Sequence, residues 1–167
     1  MRPDVTVSAG TIYNYYESKA DLLSDTIESI WHEIFFHPED EQIFHDVESC
    51  ISWIYERLEY GNRQFPGFFS LHSFGFMRDE KTSGKKRMMK TWGHILNGLC
   101  EVLENDPKVR ADVFDQEFTE KKFADILFSL ILVSMIRQDY DPSSVLMLVK
   151  KTLYVTVQSQ AKFQKQV

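Results

Sequence analysis

Residues 7–23 read Val-Ser-Ala-Gly-Thr-Ile-Tyr-Asn-Tyr-Tyr-Glu-Ser-Lys-Ala-Asp-Leu-Leu and predict a short helix, a tight break and the start of a long helix. Ser8 is the expected N-cap of the short helix, because its hydroxyl can accept a free backbone N–H of the first turn. Ser18 caps the next helix, and Asp21 completes a capping-box pattern. A helical hairpin with a polar turn is one interpretation. The other is a DNA-reading helix, since the short helix carries the polar-tipped residues Thr11, Tyr13, Asn14 and Tyr15.

This stretch resembles the recognition helix and following turn of TetR-family transcriptional regulators, over about a tenth of the chain. The resemblance implies an N-terminal helix-turn-helix that binds double-stranded DNA. It also implies a larger helical body that binds a ligand and forms a homodimer, with repression the commoner role. The positions that it assigns to DNA contact are Ser8, Ala9, Gly10, Thr11, Tyr13, Asn14, Tyr15 and Lys19.

The family places two helices before the recognition helix, whereas only residues 1–6 precede the motif here. Two helices with their connections need roughly 30 residues. We therefore expect a DNA-binding head that is truncated in this chain. Either the protein is longer, or this form is a dimerising ligand-binding or interaction module that has lost DNA binding. The chain as written should bind DNA weakly at best, because phosphate contacts supply much of the affinity.

The composition favours an all-α protein with long helices, because the 167 residues include only 7 Gly and 5 Pro. A net charge of -6 argues against a surface devoted wholly to nucleic acid. Two cysteines on apolar stripes cannot form a disulfide framework and indicate a reducing, cytoplasmic location. The longest apolar run, residues 126–136, is shorter than the ~20 residues of a membrane-spanning helix, so we expect no membrane contact. No signal peptide precedes the motif.

Apolar residues at the 3.6-residue spacing of a helix divide the rest of the chain. Pro38, Gly61-Asn62 and Asn105-Asp106-Pro107 are the expected breaks. The predicted helices cover residues 18–36, 39–60, a short aromatic segment 66–76, and a stripe over 88–103.

The last two predicted helices, about 120–137 and 143–158, are apolar on more than one face. A helix of this kind must be covered on every side, and a contiguous exposed remainder usually marks an interface. Two such helices from each of two chains would form a four-helix bundle across a two-fold axis. We therefore predict a homodimer through them, the alternative being a buried hairpin in a monomer. The predicted domains are a partial helix-turn-helix region over 1–19 and a helical ligand-binding and dimerisation domain over 20–167.

Aromatic side chains concentrate in the middle of the chain, which is the composition of a small-molecule site. Ordinary core filling is the alternative for each of them. We predict an unknown small hydrophobic or aromatic ligand that is bound by Trp31, Trp53, Phe68, His72, Trp92 and His94.

The spacing of the titratable residues predicts no metal, no cofactor and no enzyme. In the sequence His32-Glu33 to His37, the second histidine comes one position too late for two histidines to share a helix face. No histidine follows a glutamate by three positions, and no Cys-x-x-Cys motif occurs. A helical-bundle enzyme stays a third and weaker hypothesis.

Overall fold

The computed structural model describes residues 19–35, 44–69 and 83–154, and within these ranges it contains helices and no strand. The all-α fold that the sequence predicts is therefore confirmed for this part of the chain. The last helix continues into a π-helical turn, Lys150–Tyr154. The α-helices are α1 Lys19–Phe35, α2 Val47–Gln64, α3 Ser83–Asn105, α4 Glu120–Arg137 and α5 Ser143–Val149.

Helix α3 packs against both α1 and α4, while α2 contacts α1, α3 and α5. A single apolar cluster fills the space between the helices, because each contributes one buried stripe. A polar link joins α2 to α4, where the Tyr55 hydroxyl lies 2.8 Å from Ser134 Oγ. The fully buried aliphatic side chains include Ile34, Ile51, Leu58, Leu99, Leu103, Leu127 and Leu153.

Four of the predicted helices are present in the structure, three of them close to their predicted bounds. Helix α1 lies within the predicted range 18–36. Helix α3 ends at Asn105, the first residue of the predicted break, but it begins at Ser83, ahead of the predicted stripe over 88–103. Helix α4 has the predicted bounds, 120–137. Helix α5 begins after Pro142 as predicted, and the part of its predicted range beyond 154 lies outside the described residues. In the aromatic segment, residues 68 and 69 are helical, and 70–76 lie outside the described residues.

The second helix is predicted to begin at residue 39, but among the described residues it begins later. Residues 44–46 are not helical, and α2 begins at Val47; residues 39–43 lie outside the described ranges. The reason is the N-cap. Asp46 has an extended backbone, and its carboxylate accepts the Ser49 N–H at 2.7 Å. A side-chain acceptor at this position satisfies a free N–H of the first turn and starts the helix there.

The predicted stop at Gly61-Asn62 is also wrong, because α2 runs through Gly61 to Gln64. Gly61 is buried where α1 crosses α2. A Cβ atom at this position would lie 2.7 Å from Ile34 Cδ1 and 3.0 Å from Phe69 Cζ. The glycine therefore lets the side chains of Ile34 and Phe69 pack closely against α2. The turn comes later, at Gly67, which has a positive φ of 81°.

The end of α1 is fixed by a side chain of α2. Arg57 Nε donates to the carbonyl oxygen of Ile34 at 2.5 Å, and its guanidinium lies 4.4 Å from the ring centre of Tyr60. A cation at a helix C-terminus satisfies free carbonyl groups and is favoured by the helix dipole. This contact holds the last turn of α1, including Phe35, against α2.

Candidate functional site

An apolar cavity of about 120 Å³ lies between α1, α2 and α3. Phe35 borders it from the last turn of α1 and Phe44 from the segment before α2, and the cavity is partly open rather than enclosed. The described wall residues present no exposed nitrogen or oxygen atom to the cavity. The complete lining is Phe35, Phe44, Cys50, Trp53, Ile54, Ile95, Gly98 and Leu99.

Three aromatic rings form one side of this wall. The Trp53 ring centre lies 5.9 Å from that of Phe35 and 5.2 Å from that of Phe44, both in inclined arrangements. Rings at such distances and angles attract one another beyond the area that they bury. The rings are therefore held by each other, so this side of the cavity keeps its shape without a ligand.

Cys50 brings a thiol to the wall, and its environment keeps that thiol neutral. Burial raises the pKa of Cys50 to about 12, and the nearby carboxylate of Asp46 acts in the same direction. The thiolate is the nucleophilic and metal-binding form of cysteine. At neutral pH Cys50 therefore behaves as a small apolar side chain.

Gly98 provides a wall position without a side chain. It lies inside α3, where glycine is unfavourable by about 1 kcal/mol relative to alanine. Apart from its chain neighbours and the nearby backbone of its own helix, a Cβ atom there would meet no atom of the described residues within 4 Å, in contrast to Gly61. The packing that the structure describes therefore does not require a glycine at this position, and its effect is to enlarge the cavity.

The structure brings together three of the six predicted ligand residues. Trp53 lines the cavity, and Trp31 lies behind the wall, stacked on Phe35 at 5.7 Å. Phe68 contacts Trp31 in turn, with ring centres 5.6 Å apart. The Trp31 indole N–H is buried and has no hydrogen-bond partner among the residues that the structure describes.

The other three predicted residues do not join this cluster. The Trp92 ring packs on Phe128 of α4 at 5.6 Å, and the His94 side chain is exposed. His72 lies outside the described residues. Sequence reasoning missed most of the wall, although two signals were present: a glycine within the apolar stripe of α3, and Phe44 just before a strong N-cap. The missed wall residues are Phe35, Phe44, Cys50, Ile54, Ile95, Gly98 and Leu99.

A buried carboxylate ties the start of α2 to the end of the chain's last described helix. Asp106 accepts the backbone N–H of Val47 at 2.9 Å and the hydroxyl of Tyr154 through Oδ2, and the N–H of Lys108 through Oδ1. We refer to these four residues as the Asp106 cluster. Burial and the neighbouring carboxylate raise the pKa of Tyr154 far above its ordinary value. The phenol therefore stays protonated and keeps donating to Asp106.

Ion pairs surround this cluster. Lys108 Nζ lies 2.7 Å from Asp46 Oδ2, and Lys150 Nζ lies 3.0 Å from Glu48 Oε1. The hydrogen bond from Lys108 and those from Ser49 lower the pKa of Asp46 to about 2. The first turn of α2 is thus bonded to the loop after α3 and to the π-helical turn. The cavity residues Cys50 and Trp53 follow directly after that turn.

Five large apolar side chains are exposed on the last two helices. Val133 of α4 is 45% exposed and Met147 of α5 is 56% exposed. The three from α4 recur at positions i, i+7 and i+10, which places them on one side of the helix. We call these five residues the exposed apolar set: Ile126, Val133 and Ile136 from α4, with Met147 and Leu148 from α5.

The predicted DNA-contact positions Ser8, Ala9, Gly10, Thr11, Tyr13, Asn14 and Tyr15 lie outside the described residues. Lys19 is the first residue of α1. In the described ranges, no group of three or more His, Cys, Asp or Glu side chains is placed to hold a metal ion. None of the helices within those ranges has the length and apolar character needed to cross a membrane.

Comparisons with known proteins do not add a relationship: no protein-family model matches the chain, and neither a curated protein nor a solved structure matches it.

Proposed function

We propose that this chain is the ligand-binding and dimerising body of a TetR-like, cytoplasmic transcriptional regulator. Such a regulator binds double-stranded DNA and represses transcription. The observation that carries the proposal is the motif of residues 7–23, whose last residues form the start of α1. A helical body with an apolar cavity supports it, because such a regulator needs a ligand site apart from its DNA contacts. The proposal includes no catalytic step.

The mechanism is a coupling between the cavity and the dimer contact. The N-terminal half of α2 lines the cavity, and the Asp106 cluster bonds its first turn to Tyr154, at the end of the helix that carries Met147 and Leu148. A ligand that fits the cavity better in one dimer geometry shifts the population toward that geometry. A coupling of about 1–3 kcal/mol is typical of such switches. The shift would change the spacing of two recognition helices on successive major grooves.

The exposed apolar set is the proposed contact between two copies. Two helices from each chain would cover the five exposed apolar side chains in a four-helix bundle. We expect sedimentation analysis to show a dimer of the 167-residue chain. Val133→Asp should shift it to monomer, because the new charge would be desolvated in the contact. Asn97→Asp, which adds the same charge to an exposed position of α3, should leave the dimer intact. A monomeric wild type, or equal behaviour of the two variants, would contradict this contact.

DNA binding is the direct test of the regulatory role. We expect a form with a complete helix-turn-helix to bind DNA from its own genomic neighbourhood in a fluorescence anisotropy titration. Tyr15→Ala should weaken that binding by about tenfold or more, the usual effect of losing a good contact to DNA. The 167-residue form should bind weakly at best. If the extended form binds no such DNA, the alternative gains: a dimerising ligand-binding or interaction module that pairs with an intact relative.

A further inference from the structure

The size of the cavity limits the group held between its walls to about one ring. An apolar protein cavity of ~150 Å³ stays dry and takes up benzene or xenon. The cavity between α1, α2 and α3 measures about 120 Å³ in the same kind of volume. A single ring is close to the space between the walls, and the rest of a larger molecule would extend through the open side.

The chemistry of the wall disfavours a hydrogen-bonding group on the part of the ligand that lies between the walls. With no exposed nitrogen or oxygen in the described wall, a hydroxyl or amide on the ligand would lose its water without gaining a partner. A loss of this kind weakens binding by about tenfold or more. Cys50 does not alter this conclusion, because its thiol is neutral and only a weak donor.

A cation is the other ligand that aromatic walls recognise, through attraction to ring faces. Here the rings of Phe35 and Phe44 pack against Trp53, and the described lining contains no carboxylate to balance a positive charge. The desolvation of a cation would therefore be poorly compensated. The wall favours an uncharged molecule.

Gly98 determines how much space the ligand has. Gly61 is explained by the atoms of Ile34 and Phe69 that press against it. Apart from chain neighbours and the nearby backbone of α3, no atom of the described ranges lies within 4 Å of a Cβ at Gly98. A side chain at Gly98 would extend from a wall position, where the ligand lies. Gly93 has the same free space in the same helix but does not line the cavity, which makes it a matched control.

We propose that the cavity takes up an uncharged apolar group of about one aromatic ring that makes no hydrogen bonds there, and that Gly98 sets the size of that group. The claim that a molecule with this group is the effector of a regulator rests on the proposed regulatory function. The claim that it binds in the cavity is tested without DNA. The two can therefore fail separately.

The experiment is a calorimetric titration of the 167-residue chain with three probes: benzene, phenol and tetramethylammonium chloride. We expect benzene to bind, phenol to bind at least about tenfold more weakly, and tetramethylammonium to give no binding heat. The absence of benzene binding would overturn the proposal. So would phenol or tetramethylammonium binding as tightly as benzene.

Two glycine variants locate the site. Gly98→Ala should weaken benzene binding by about fivefold or more, because the new methyl group takes part of the space. Gly93→Ala should bind benzene like the wild type. Both variants should melt at a slightly higher temperature, by up to a few degrees, since alanine favours a helix over glycine. Equal benzene affinity in the two variants would remove Gly98 from the proposal. A regulator that binds DNA but not benzene would refute this inference alone.

Discussion

The two halves of helix α2 are held in different ways. Its C-terminal half is fixed mainly by close packing, with Gly61 against Ile34 and Phe69, and Arg57 adds a hydrogen bond to α1. Its N-terminal half faces the cavity and is fixed by hydrogen bonds, from Asp46 within the helix and from Asp106 across the fold. Close packing leaves no space, whereas hydrogen bonds set a position without filling the volume beside it. The comparison shows how a helix can border an open cavity and still be well placed.

The largest effect is expected from Asp106→Ala, which removes the bonds that position the N-terminal half of α2. Three donors lose their acceptor: the N–H groups of Val47 and Lys108, and the Tyr154 hydroxyl. Val47 is fully buried, so water cannot replace the carboxylate at its N–H. We expect a loss of about 3 kcal/mol in the free energy of unfolding, measured by urea denaturation. Asn105→Ala, at the exposed neighbouring position, should cost far less; equal losses would show that the cluster does not hold α2.

A smaller loss of stability is expected from Gly61→Ala, in the C-terminal half of α2. The new Cβ would lie 2.7 Å from Ile34 Cδ1, inside a core that cannot easily expand. We expect the free energy of unfolding to fall by about 2 kcal/mol. Ile34→Val removes the Cδ1 atom, so the penalty of Gly61→Ala should be reduced in the double variant. Gly93→Ala is the control and should stabilise the chain by up to about 1 kcal/mol. The interpretation of close packing is wrong if Gly61→Ala stabilises to the same extent.

The smallest effect concerns the N-cap of α2 and appears as a pH dependence. The folded pKa of Asp46 is lowered from 3.8 to about 2, so its ionised form stabilises the fold fully above about pH 4. That contribution is lost as the pH falls from about 4 to about 2. Asp46→Asn keeps an N-cap acceptor but loses the charge. We expect the wild type to be more stable than this variant by under about 1 kcal/mol near neutral pH, since Lys108 is largely exposed. The difference should shrink toward the folded pKa of about 2 and vanish below it.

Lys108→Met provides the control for this pH dependence, because the hydrogen bond from Lys108 is the main cause of the lowered pKa of Asp46. Without the ammonium group, the folded pKa of Asp46 should move back toward its ordinary value. The loss of stability on acidification should therefore be smaller in this variant than in the wild type. Urea denaturation curves recorded from neutral pH down to the folded pKa measure that loss. An unchanged acid profile in Lys108→Met would show that the pair does not contribute.

Much of the helical architecture was predictable from residues close together in the chain. Helix α4 has its predicted bounds, and α3 ends where Asn105-Asp106-Pro107 predicts a break. These features depend on apolar spacing and on residues that cannot continue a helix, which act locally. The stop assigned to Gly61 was wrong for the same reason: local rules treat a buried glycine as a break, although here a neighbouring helix requires it.

The cavity was predicted only in its general character. Aromatic content indicated an apolar site, and Trp53 does line it. His94 and Trp92 were assigned to the site because they lie near the apolar stripe of α3, yet His94 is exposed and Trp92 faces α4. Successive side chains on a helix point about 100° apart. An error of one position therefore assigns a side chain to the wrong neighbouring helix.

The amino-acid sequence alone predicts most of the helical segments and the apolar side of each helix. Both depend on residues within a turn or two of each other. The tertiary structure decides what those helices enclose. Asp106 reaches the start of α2 from 59 positions away, and the cavity requires α1, α2 and α3 to meet around Gly98. Contacts between distant segments depend on how the helices pack against each other, and neither periodicity nor capping patterns contain that information.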